Sequence, residues 1–331
     1  MDTKTLLTIG CTFWLFHCSS GDPPIAYDEP EQKSGTKTPA GGSTAAPPSS
    51  SSSVLDGSAP IPNDAAAPGA SCDPNKPFST PVRVAGFDPN RTLCRPRLSS
   101  DELSIFFNIK VNGTPKPAFA TRSTKNDSFG PVMEMTTLES RAVDRDPELS
   151  ADGMTLFFST SRDGDEDIYV ATRSATDAVF GVPNAVANVN TYSYDRDPYF
   201  RQAGNELWFS SARGGSWEIY RAPFGGVTGF GVPQIVPELV SNTGQSYEPM
   251  ITEDGLTVVF VSERLGGQGG TDLWMAHRTA TTLPFSPPSP INEVNSPWME
   301  NGGWLSSDGC RLYFSSDRGS EHASLYVATR Q

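Results

Sequence analysis

"DRDPELSADGMTLFFSTSRDGDEDIYVATR" fills Asp144 to Arg173. The stretch is dense in carboxylates, which suits a catalytic or metal site. It also reads as strand, turn, strand, hairpin, strand, which suits a building block. Copies decide between these readings, because a unit recurs along a chain. Pro147 is matched by Pro96, Pro198 and Pro249 at 51-residue steps, and Gly303 follows after 54. Phe107, Phe158, Phe209, Phe260 and Phe314 keep the same step, as do Arg162, Arg213, Arg264 and Arg318. The stretch is a unit, present five times.

Each unit predicts four strands. Pro147 to Ser150 is short and extended, and Asp152-Gly153 supplies a tight turn in which glycine takes the positive φ. "MTLFFST" is an apolar, half-buried strand. "SRDGDED" reverses the chain into a third strand, "IYVATR". A fourth piece starts with Phe: "FGPVMEM" at Phe129, "FGVPNAV" at Phe180, "FGVPQIV" at Phe230 and "FSPPSPI" at Phe285. Four strands in about 50 residues, with no helical period, predict a β-propeller blade. "FSTPVRV" at Phe78 is a further copy of the Phe-headed piece, and the chain stops after a third strand at "SLYVATRQ". The expected fold is therefore all-β, a five-bladed β-propeller. Its N-terminal outer strand joins the C-terminal blade, which removes the open sheet edges.

The propeller is expected over residues 76–331. Residues 19–75 are rich in Ser, Pro, Ala and Gly and read as a disordered tether, reaching about 40 Å as a coil. Residues 1–18, "MDTKTLLTIGCTFWLFHC", carry one Lys and an apolar run too short for an ordinary membrane span, as in a signal peptide. The terminal Cys followed by a long tether resembles a bacterial lipoprotein signal. Cys18 is the preferred lipidation site because Cys11 leaves too short an apolar run; the alternative is an ordinary secretory signal without lipid. The formal net charge of −13 disfavours nucleic acid as a partner. The same sign leaves a lipid anchor as the propeller's route to a membrane surface.

The pattern P-x-[LFIM]-[ST]-x-[DA]-G…[LV]-x-F-x-S…R-G…D-[IL]-[YW] resembles the WD40-like propeller repeat of the TolB type. "ERLGGQGGTDLW" and "PNAVANVNTYSYDRDPYF" resemble the versions found in envelope proteins. The resemblance covers Phe78 to Gln331. It implies a non-catalytic platform in the cell envelope, periplasmic or surface-exposed on the outer membrane, with an envelope protein or a glycan as partner. The chain departs from TolB in having five units and no N-terminal α/β domain.

Six carboxylates are read first as part of the repeat, accepting backbone or Arg hydrogen bonds at the strand entry, and second as binding candidates. Asp146, Asp197 and Glu248 stand directly before the aligned Pro, where the innermost strand opens beside the central channel. Asp144, Asp195 and Glu300 stand two residues earlier. Arg145 and Arg196 lie between the acids and are expected to neutralise them. Five-bladed glycoside hydrolases of the arabinanase kind also place Asp, Asp and Glu on successive inner strands, so a glycosidase is the competing class, with Glu248 as acid and Asp146 as base. Tyr192, Tyr194, Tyr247, Trp298 and Trp304 are the aromatics available to a sugar platform.

No cofactor is expected. "DGDED" at Asp163 to Asp167 is rich enough in oxygen for Ca²⁺ but lacks the ligand set of an EF-hand loop. Arg162–Asp167, Arg213–Glu218 and Arg264–Asp272 are expected as ion pairs bracing the hairpins. "LGGQGGTD" joins two strands and lacks the following helix that a phosphate cradle requires. His277 and His322 have no zinc-ligand spacing. Strand alternation places Cys72 and Cys310 on one face of the ring, where a disulfide is expected to join the two chain ends, with Cys94 free on the other; the alternative is three free, partly buried thiols.

Overall fold

The computed structural model describes residues 72–138, 140, 142–226 and 229–331. The signal sequence with Cys11 and Cys18, and the tether up to residue 71, lie outside the described residues. Five four-stranded antiparallel sheets form the blades of a ring. In the second blade the inner strand Asp144–Leu149 pairs with Thr155–Thr160, which pairs with Asp167–Thr172, which pairs with Asn184–Ala185. The fourth strand is only two residues long in every blade. Its Phe-headed lead-in is rich in Gly and Pro, which supply little to a hydrogen-bond ladder.

That lead-in contributes packing instead. The guanidinium closing a third strand lies over the lead-in Phe: Arg330 over Phe78 at 4.0 Å, Arg122 over Phe129 at 4.4 Å, Arg173 over Phe180 at 4.6 Å and Arg278 over Phe285 at 4.3 Å. The third blade has Phe224 at the Arg position, and its ring packs on Phe230 at 5.2 Å instead. The aligned Phe107, Phe158, Phe209, Phe260 and Phe314 are fully buried.

The last blade is stitched from both ends of the chain. Val82–Arg83 pairs with the third strand Ser324–Thr329, in the register Val82 to Val327 and Arg83 to Tyr326. Ser79 N–H donates to the Thr329 carbonyl at 2.7 Å, and Val84 N–H to that of Leu325 at 2.9 Å. A disulfide joins Cys72 to Cys310, with Cα atoms 6.1 Å apart. Cys94 is buried on the inner strand Leu93–Leu98 of the first blade.

Candidate functional site

Every inner strand carries a β-bulge at the same place, just before the aligned Pro or Gly. The residue there has left-handed backbone: Arg95, Asp146, Asp197, Glu248 and Gly302, with φ of 56°, 56°, 53°, 53° and 64°. The bulge turns five side-chain positions toward the propeller axis. Four of the five freed N–H groups find a side chain on the second strand of the preceding blade. Arg95 N donates to Ser315 Oγ, Asp146 N to Asn108 Oδ1, Asp197 N to Ser159 Oγ and Glu248 N to Ser210 Oγ, at 2.7–3.1 Å. In the fourth blade the equivalent residue is Val261, which has no acceptor. Gly302 N donates to the Glu248 carboxylate instead, at 2.5 Å. A Cβ on Gly302 would lie 2.3 Å from Arg95 Cα, so this position accepts only glycine.

The axis is filled by one cation among three anions. Arg95 Nε donates to Glu248 at 2.5 Å, and Arg95 Nη1 lies 3.0 Å from Asp146 and 3.4 Å from Asp197. All four side chains are buried. The space left among Arg95, Arg97, Asp146, Asp197, Pro198 and Glu248 is about 10 Å³, room for roughly one water molecule. Burial raises the Asp146 carboxyl, but Arg95 and Arg145 outweigh it and hold the group well below the usual carboxylate range. Burial pushes Asp197 up to about 6, with Asp146 and Glu248 adding to the shift and Arg95 opposing it. Neither oxygen of Asp197 accepts a hydrogen bond.

The other three candidate acids do not line this channel. Asp144, Asp195 and Glu300 are fully buried in a brace within their own blades. Asp144 accepts from Thr160 Oγ1 at 2.6 Å, from Ser140 and from Arg162 at 3.1 Å. Asp195 accepts from Thr191 and from Arg213 at 2.7 Å, and Glu300 from Ser296, Ser316 and Arg318. This corrects their placement at the channel mouth. Two residues along a strand share a face only where the ladder is regular, and the bulge lies just after these acids.

The hairpin arginines are corrected by the same brace. Arg162 and Arg213 pair with Asp144 and Asp195 across 18 residues, not with Asp167 and Glu218. Arg264 meets Ser246 Oγ and the Leu239 carbonyl, because the fourth blade has Ser at the acid position. Asp272 instead accepts the loop amides of Gln268 and Gly269 at 3.0–3.1 Å. Arg145 and Arg196, expected to neutralise the axial acids, both turn to Glu166. Arg145 Nε keeps a longer approach to Asp146, 3.7 Å.

The "DGDED" carboxylates also diverge, Asp163 accepting from the Tyr169 hydroxyl and Glu166 from the two arginines. Among the described residues no group of three or more His, Cys, Asp or Glu is placed to hold a metal. Of the aromatics, Trp304 is buried and Tyr247 donates its hydroxyl to Glu263, whereas Tyr192, Tyr194 and Trp298 are 56%, 40% and 48% exposed. The residues missed from sequence are Arg95, which occupies the axis, and the Ser/Asn following the aligned Phe. The second was visible as the recurring Phe-Ser or Phe-Asn pair; the first looked like a unit that had lost its acid.

No family model matches the chain, and no curated protein matches its sequence. Solved structures match in shape. An alpha-L-arabinofuranosidase from Podospora anserina superposes with a TM-score of 0.54 and 10% identity, over 79% of this chain and 99% of that one. A family 117 glycoside hydrolase from Zobellia galactanivorans gives 0.51 and 11%, over 76% and 90%. TolB from Acinetobacter baumannii gives 0.41 and 18%, over 73% of this chain and 55% of that chain. At these identities the likeness to the two glycosidases is one of fold alone.

Proposed function

We propose that this propeller is a non-catalytic binding platform of a bacterial cell envelope, exported and tethered to the outer membrane by lipid on Cys18. The observation that carries the reading is Arg95. A glycosidase with Asp146, Asp197 and Glu248 as its catalytic set needs room for a sugar between the carboxyl groups. Here a guanidinium stands among them, and the remaining space holds about one water. Glu248, the candidate acid, is engaged by Arg95 and by Gly302 N–H. The three acids are thereby parts of a closed axial plug. Binding falls to the face where the inner strands begin, which carries exposed Tyr192, Tyr194, Leu265 and Trp298. Exposed aromatics at loop positions suit a protein or glycan partner.

The test is hydrolysis of aryl-glycosides and arabinan by the purified protein. No turnover is expected. Turnover that disappears in Glu248→Gln, with the circular dichroism spectrum unchanged, overturns the reading in favour of the glycosidase. The tether is tested separately by labelling the full chain with palmitate in bacteria. Label should be absent from Cys18→Ala, and label retained in that variant moves the lipid elsewhere.

A further inference from the structure

A cleft of about 350 Å³ opens on the outer rim between the third and fourth blades, away from the axis and from the aromatic face. One wall is the third strand and outer strand of the third blade, with Arg221, Gln234 and Ile235. The other is the connection Arg278 to Phe285 of the fourth blade. This volume falls in the usual range for small-molecule sites.

Its chemistry is cationic, in a chain whose net charge is −13. Arg278 is only 9% exposed, stacks over Phe285 and donates Nε to the Gly255 carbonyl at 2.7 Å. The Nε bond and the stacking recur in other blades and are structural. Arg221 is particular to this site, because Val170 and Val327 occupy the equivalent place in the second and last blades. Its guanidinium lies 6.0 Å from the Trp208 ring, which meets Phe285 edge-on at 6.2 Å. Two guanidiniums thus flank one aromatic pair. Among the described residues neither has a carboxylate within ion-pair distance. Burial and then Arg221 lower the Arg278 pKa, Arg201 adds to this, and Glu206 and Glu238 oppose it. Glu206 is held by Trp208 Nε1 and by Arg201. Glu238, on the cleft wall, remains as the competing anion.

We infer that this cleft binds a small organic carboxylate with an apolar or aromatic body, the acid group lying between Arg221 and Arg278 and the body against Ile235, Leu283 and Pro284. Guanidinium edges left free by stacking suit a planar carboxylate. Leu283 and Ile235 are exposed beside them, offering apolar contact. The site is independent of the platform reading and stands or falls apart from it.

Thermal-shift and calorimetric titrations of the purified full chain test it, with benzoate as probe and acetate and inorganic phosphate as controls. Benzoate is expected to saturate and to bind at least about tenfold more tightly than acetate, the difference coming from the buried ring. Arg221→Gln should weaken benzoate about tenfold or more while leaving the ligand-free melting temperature unchanged. Glu238→Gln should tighten it. Benzoate binding that never saturates, or that Arg221→Gln leaves intact, overturns the assignment. Phosphate binding as tightly as benzoate overturns it too, since the apolar wall then contributes nothing.

Discussion

Arg95 is the residue on which the axis depends. Removing one partner from a buried ionic group costs about 3–5 kcal/mol, because the others keep their desolvation penalty without its compensation. Arg95→Met leaves Asp146, Asp197 and Glu248 facing one another, so a loss of that order is expected at pH 8 in urea unfolding. At pH 5 the loss should be smaller. Arg95 lowers the pKa of Asp146 and Asp197, so without it both take up protons more readily in the folded state, which relieves the repulsion among the carboxyls. Equal losses at the two pH values would show that Arg95 acts by packing alone.

At the scale of the inner strand, the bulge that turns Asp146 to the axis also sets the residue two positions on. Glu148 is buried, and burial pushes its carboxyl up to about 8 against the opposing charge of Arg97, 3.6 Å away. Arg97 offsets little because its two terminal nitrogens are already held by the carbonyls of Gly303 and Pro249. A carboxyl with a raised folded pKa binds more protons in the folded state. Its contribution is present in full below the unfolded value, near 4, and is lost as pH rises through about 8. Glu148→Gln, uncharged throughout, should therefore match the parent near pH 4 and exceed it in stability at pH 9. Chemical denaturation across that range checks the sign; a variant less stable than the parent at pH 9 would mean that Glu148 is charged and paired with Arg97.

At the scale of the whole ring, closure is the weak point, because the last blade borrows its outer strand from the other end of the chain. Three separate devices hold it. Val82–Arg83 joins the sheet, the disulfide ties Cys72 to Cys310, and buried Glu102 of the first blade meets Arg311 of the last at 2.6 Å. The disulfide spans 238 residues of sequence, and a loop of that size restrains the unfolded chain by about 5 kcal/mol on entropic grounds. Cys310→Ser should lower the unfolding free energy by an amount approaching that figure. Thiol counting on the unfolded, unreduced protein provides the companion check: a reactive thiol at Cys72 or Cys310 would show the bond to be absent.

The fold could be read from the chain because it repeats. A spacing of 51 residues, five aligned phenylalanines and a displaced Phe78 segment follow from sequence alone and require five blades with a shared last blade. Each is a local or periodic feature, and periodicity survives without coordinates. The partners of the charged residues were not available in this way. Arg162 pairs 18 residues back rather than five ahead, and Arg95 meets acids 51, 102 and 153 residues away. Alignment placed Asp146, Asp197 and Glu248 in equivalent positions of three blades. Ring closure alone brought the first blade's arginine among them, and a bulge alone separated them from Asp144, Asp195 and Glu300. Sequence fixes which residues are equivalent under rotation; only the closed ring decides which of them meet, because contacts across an axis join residues that no local pattern relates.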